Sequence, residues 1–228
     1  MDKIRDLEVR LKKLEDAFQK ETDVVIIVDR SGSMSSNKSD HEEGLQSFIA
    51  KQRELPKSFL TFVQFDDVNP FEVIYDNHPM ESVDRVQIEP RGCTPLLDCI
   101  GKTISYIDNA NRDRDVICLI VTDGMENASK EYNHQTIRNL INKKKEGRWQ
   151  FVFVGTNFDV LTTGSSLGFD RYKNVSFNNT AGSIKAAYDI SGLKFTNYRS
   201  ARAAGCTVAD ASYSLDFSEA EIQEIKEA

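Results

Sequence analysis

The chain is 228 residues long, 39% hydrophobic and 29% charged, with a formal net charge of -7. That length covers one generous domain with its own core, and the composition is globular rather than disordered. The acidic balance speaks against binding a nucleic-acid backbone, which needs clustered Lys and Arg.

The longest apolar runs, Val24 to Val28 and Val116 to Val121, fall far short of the ~20 residues of a membrane-spanning helix. The charged start Met1-Asp2-Lys3-Ile4-Arg5-Asp6 shows no signal peptide, so a reducing, cytoplasmic location is expected. Cys93, Cys99, Cys118 and Cys206 are spaced too irregularly for a metal-ligand pattern. They are expected to remain thiols, with Cys118 in the core.

Residues 1–21 read as an amphipathic helix, with Ile4, Leu7, Leu11, Leu14 and Phe18 on a heptad seam. The seam is barely two heptads long, so it fits a helix lying on the domain, a lead-in, or a short arm for homo-oligomers through residues 4–18. Residues 22–202 form the main domain. Asp23 to Asp29 is a continuous apolar strand, as expected of one buried on both faces. Ser39-Asp40-His41-Glu42 has the form of a capping box opening a helix through Leu45, Phe48, Ile49 and Gln52. Phe59 to Phe65 and Glu72 to Tyr75 are strands joined by the turn Asp66-Asp67-Val68-Asn69-Pro70, a hairpin.

Thr94-Pro95 starts a helix through Leu97, Ile100, Ile104 and Ile107, with Pro at its first position. Val116 to Val121 is a second buried strand, Tyr132 to Lys145 a helix, and Gln150 to Val154 a third buried strand. A short helix over Val160 to Leu167, a strand over Asn174 to Phe177 and a helix from Ala181 to about Arg202 complete the domain. Residues 203–228 are a tail, irregular until Ser218 and Glu221 cap a short terminal helix. Alternating strands and helices predict an α/β fold, a doubly wound, mostly parallel sheet with helices on both faces.

Ligands of such sheets bind beyond the carboxyl ends of the strands. There stand Asp29-Arg30-Ser31-Gly32-Ser33 and Asp123-Gly124-Met125-Glu126-Asn127, both rich in oxygen donors. Thr94 heads a neighbouring helix. Asp29, Ser31, Ser33, Thr94 and Asp123 together offer two carboxylates and three hydroxyls, a hard-oxygen set suited to Mg²⁺ or Mn²⁺. A hard divalent cation takes about six ligands, so one position stays open for an incoming carboxylate.

Asp29-Arg30-Ser31-Gly32-Ser33-Met34 resembles the DxSxS signature of von Willebrand factor A domains. Thr94 and Asp123-Gly124 match the other two elements of that family's metal-ion-dependent adhesion site, roughly 65 and 29 residues apart. The resemblance covers about residues 22–200. It implies a Rossmann-like sheet with one antiparallel edge strand. It also implies Ser31, Ser33 and Thr94 as direct metal ligands, with Asp29 and Asp123 acting through water. Stand-alone bacterial and viral proteins of this family are similar in plan.

The reading is therefore a protein-binding module, not an enzyme, in which a metal takes an acidic side chain of a protein partner. No nucleic acid or membrane is expected. Two alternatives remain. One is a metal-assisted hydrolase with Glu126 or Asp67 as base; the other is an assembly subunit oligomerising through the N-terminal helix. Asp66, Asp67, Glu126 and Asn127 read either as supports for the ligands or as solvated loop. Arg30, Met34, Arg91 and Met125 are expected to rim the open position, and Cys93 lies beside Thr94. Gly101-Lys102-Thr103 lacks the glycine spacing of a phosphate loop, and Ser31 lacks the flanks of a nucleophilic serine.

Overall fold

The structure is a computed structural model that describes residues 21–55 and 57–228, with the side chains of 157–161 left aside. The expected N-terminal helix falls on residues outside that set. The described elements are β1 (Thr22–Asp29), α1 (Lys38–Arg53), β2 (Ser58–Phe65), β3 (Glu72–Pro79), α2 (Leu96–Asn109), β4 (Asp115–Thr122), α3 (His134–Lys145), β5 (Trp149–Thr156), α4 (Asn157–Ser166), β6 (Asn174–Phe177), α5 (Ala181–Ala203), α6 (Val208–Ser212) and α7 (Glu219–Glu227). Short 3-10 turns follow β1 at Gly32–Asn37 and β3 at Met80–Ser82.

The six strands lie in the order β3-β2-β1-β4-β5-β6. Every neighbouring pair is parallel except β2 with β3, which is antiparallel and puts β3 at one edge. This is the doubly wound fold expected, and its chain path reverses between β1 and β4. Among the described residues no helix is long and apolar enough to cross a membrane.

Strand alternation divides the core in two. Val24, Ile26 and Val28 point to the layer of α1 and α5, where they meet Phe48, Ile49 and Phe195. Val25 and Ile27 point to the layer of α2 and α3, with Ile100, Ile104, Ile137 and Ile141. Buried on both faces, β1 and β4 can be uninterrupted apolar runs.

Several local expectations change. No capping box forms at Ser39. The helix starts at Lys38, and the buried Glu42 carboxylate instead accepts the Ile88 N–H at 2.8 Å. A distant backbone donor without a partner outweighs a local cap. Pro95 is the N-cap of α2 rather than its first residue. α3 begins at His134, where Asn133 Oδ1 accepts the Thr136 N–H at 3.0 Å, while Tyr132 lies against Gly101. β3 runs on to Pro79, past the expected Tyr75. The irregular stretch contains α6 and a 3-10 turn, because Ala211, Leu215 and Phe217 are buried in the core. Ser218 and Glu221 do form their capping box.

α1 and α5 pack closely. Phe48 and Phe195 meet edge-on with centroids 5.0 Å apart, and His41 Nδ1 lies 3.1 Å from the Tyr188 hydroxyl. Between them stands Gly44, where an added Cβ would come within 2.2 Å of the buried Tyr188 ring. Alanine in an exposed helix interior stabilises by ~1 kcal/mol over glycine. Here overpacking should reverse that sign: Gly44→Ala is expected to destabilise by about 1–3 kcal/mol. Urea unfolding of the variant against wild type checks this.

Candidate metal centre

The site lies where β1 and β4, adjacent and parallel, reach their carboxyl ends. Asp29 is the last residue of β1 and is fully buried. Its Oδ1 accepts the Ser31 N–H at 2.7 Å, and its Oδ2 accepts the Thr122 hydroxyl at 2.6 Å. Ser31 Oγ lies 3.1 Å from Ser33 Oγ, and Ser33 Oγ donates to Asp123 Oδ1 at 2.6 Å. Thr94 closes the group. A Cβ placed on Gly124 would lie 3.0 Å from Thr94 Oγ1, 3.6 Å from Ser33 Oγ and 3.7 Å from Asp29 Oδ2. Glycine at 124 thus leaves open a point on which three oxygens converge. The structure brings all five sequence-derived residues together, from segments far apart in the chain.

The electrostatics favour a cation. Burial pushes the Asp29 carboxyl up to about 6 from the usual 3.8; hydrogen bonds from Thr122 and Ser31 oppose this, and the charge of Asp123 adds to it. Burial also raises Asp123, against the hydrogen bond from Ser33. Among the described residues no Lys or Arg pairs with either carboxylate. Two poorly solvated carboxylates without a basic partner, beside three hydroxyls, fit a hard divalent ion. No group of three His, Cys, Asp or Glu is gathered among the described residues, because hydroxyls supply the other donors.

The surrounding residues divide differently from expectation. Arg30 does not rim the opening: it is 5% exposed and turns away, with Nε on Asp66 Oδ2 at 2.5 Å and Nη1 on Glu72. Alternation at a strand end sends Asp29 and Ser31 one way and Arg30 the other. Met34 is 0% exposed and packs into the α1 layer from the 3-10 turn, so it too leaves the rim. Met125, 58% exposed, stays beside Gly124.

Asn127 brackets Thr94: its Oδ1 accepts the Thr94 N–H at 2.9 Å, and its own N–H donates to Thr94 O at 3.2 Å. The Glu126 carboxylate accepts the N–H groups of Leu97, Ala128 and Ser129 and the Ser129 hydroxyl, at 2.7–3.0 Å. Asp67 Oδ1 accepts the Cys93 N–H at 2.9 Å. Both acids act as backbone clamps.

Two contributors were not singled out from the sequence, Thr122 and Thr156, while Gly124 was matched only as part of the motif. Thr122 orients Asp29, Gly124 leaves the space, and Thr156 at the end of β5 donates to Asp123 O at 2.7 Å. A threonine closing both β4 and β5 was the available signal.

No protein-family model matches the sequence, and no curated protein matches it. Solved structures do. A von Willebrand factor type A protein from Catenulispora acidiphila superposes with a TM-score of 0.57 at 15% identity, over 78% of this chain and 43% of that one. Mussel byssus proximal thread matrix protein 1, with zinc occupying its metal-ion-dependent adhesion motif, gives 0.56 at 13%, over 76% and 48%. The pilus adhesin SpaC of Lactobacillus rhamnosus GG gives 0.61 at 10%, over 78% and 30%. The chain spans less than half the length of each. The fold is that of von Willebrand factor A domains.

A folded-state value near 6 means that, without metal, Asp29 costs stability fully above about pH 6 and progressively less as pH falls towards 3.8. Asn at this position keeps the acceptor for the Ser31 N–H. In chelator, Asp29→Asn should therefore be more stable than wild type by about 1–3 kcal/mol at neutral pH. That advantage should shrink as pH falls through 6. Urea unfolding across the range in chelator measures it; no gain at neutral pH would refute the buried-charge account.

Proposed function

We propose that this chain is a protein-binding module that holds one divalent cation, Mg²⁺ or Mn²⁺, at Asp29, Ser31, Ser33, Thr94 and Asp123, and so engages an acidic side chain of a partner protein. The observation that carries the reading is the convergence of these oxygens around the space beside Gly124, with two carboxylates that no basic side chain among the described residues balances. Bound there, a divalent ion would supply an electrophilic open position for a carboxylate, since neutral hydroxyls hold it without quenching its charge.

The chain's own residues serve that task by staying fixed. Thr122 and the Ser31 N–H aim Asp29, Asn127 sets Thr94, and Thr156 sets the backbone of Asp123. The structural neighbour with zinc in its adhesion motif agrees with a metal at this place in the fold, and the adhesin among the neighbours with a binding role. Binding is favoured over hydrolysis because Glu126 and Asp67, the candidate bases, are engaged by backbone N–H groups.

The test is thermal unfolding of wild type and Asp123→Ala in chelator and in millimolar Mg²⁺ or Mn²⁺. A ligand of the folded state at 100 times its Kd stabilises by about 2.7 kcal/mol, so the wild-type Tm should rise by several degrees. Asp123→Ala should show no rise. A wild-type Tm indifferent to both metals would overturn the proposal.

A further inference from the structure

Asp66 stands one residue beyond the end of β2 and is 0% exposed. Its carboxylate is approached from three segments. Arg30 Nε donates to Oδ2 at 2.5 Å, and Arg91 Nε donates to the same oxygen at 2.9 Å. The N–H groups of Val68 and Asn69, in the hairpin turn, donate to Oδ1 at 2.7 and 2.8 Å. Burial works to raise this carboxyl, yet its hydrogen bonds and Arg30 hold it below the usual range, so it carries its charge.

The two arginines are significant by position. Arg30 lies between Asp29 and Ser31, and Arg91 lies three residues before Thr94. One carboxylate therefore ties the loop bearing Asp29, Ser31 and Ser33 to the loop bearing Thr94. The backbones of the same loops are stitched together: Arg91 N–H donates to Arg30 O at 2.8 Å, and Gly32 N–H to Gly92 O at 3.1 Å. Gly92 has φ +66, a conformation that suits glycine, and an added Cβ there would strike the Asp67 carboxylate. Asp66 and Asp67, adjacent on one turn, thus hold both ends of the passage from Arg91 to Cys93.

We propose that Asp66 is a positioning residue for the oxygen cluster. By holding Arg30 and Arg91 on one carboxylate, it sets the spacing of the two serine hydroxyls from Thr94, and with it the affinity for a divalent cation. The inference rests on the metal-site reading above. Its physical basis is that Arg30 is buried: without Asp66 its guanidinium keeps, among the described residues, only Glu72 and Gln64, and a charge so poorly compensated moves, taking its loop along. Groups that orient metal ligands without touching the metal commonly change affinity by ~10–100-fold.

The experiment is calorimetric titration of Mn²⁺ into the full chain as wild type, Asp66→Asn, Arg91→Gln and Asp29→Asn. Circular dichroism establishes that each is folded at the titration temperature. Asn at 66 retains an acceptor for the Val68 and Asn69 N–H groups but loses the charge. Asp66→Asn is expected to bind Mn²⁺ ~10–100-fold more weakly, and Arg91→Gln to show a smaller loss. A merely structural role would lower the Tm in chelator and leave the Kd of the folded protein unchanged. A wild-type Kd in folded Asp66→Asn therefore overturns the proposal. Should Asp66→Asn not fold, Arg91→Gln decides it, and an unchanged Kd there is equally fatal. If wild type takes up no Mn²⁺, or Asp29→Asn binds as wild type does, the metal-site reading falls and this proposal with it.

Discussion

Everything at the strand ends is arranged around one buried carboxylate. Asp29 closes β1 where the chain's path across the sheet reverses, and it is spoken for on both oxygens, by the Ser31 N–H and by Thr122 of β4. A carboxylate taken out of water at that point is costly. The fold tolerates it because β1 and β4 pair in parallel along nearly their whole length, delivering Thr122 to its side. The remaining donors need only loops of the right reach, and the loops are short and firmly tied.

The ties share one device. Acidic side chains, rather than regular caps, take up backbone N–H groups. Glu42 takes Ile88, Asp67 takes Cys93, Glu126 takes Leu97, Ala128 and Ser129, and Asp98 takes Lys130, Glu131 and Tyr132. Each satisfies donors that a loop would otherwise expose or strand. Glu42 and Asp98 do so from buried positions, Glu126 from a half-buried one and Asp67 from an exposed one.

The sheet, the antiparallel edge and the five oxygen donors were legible because they rest on local signals. Continuous apolar runs marked the buried strands, and polar residues directly after them marked the strand ends. What was not legible depends on partners distant in the chain. Nothing near Glu42 announces that it will serve Ile88 instead of Ser39. Arg30 and Met34 sit inside the signature and invite a role at the opening. Yet strand alternation carries Arg30 to Asp66, and the 3-10 turn carries Met34 into the core. α6, at five residues, is too short for any helical period to show.

The contact between α1 and α5 has a consequence for how such a sequence diverges. Gly44 leaves no room for a methyl group beneath the Tyr188 ring, and the hydroxyl of that ring meets His41, one turn earlier on the same helix. Two positions on one helix and a third more than a hundred residues away thus share one volume and one hydrogen bond. A lineage that loses the ring at 188 frees position 44 to grow and strands the imidazole at 41, so substitutions there should arrive as a set. Covariation among 41, 44 and 188 would then mark the packing of these two helices in any descendant, whatever its metal or partner.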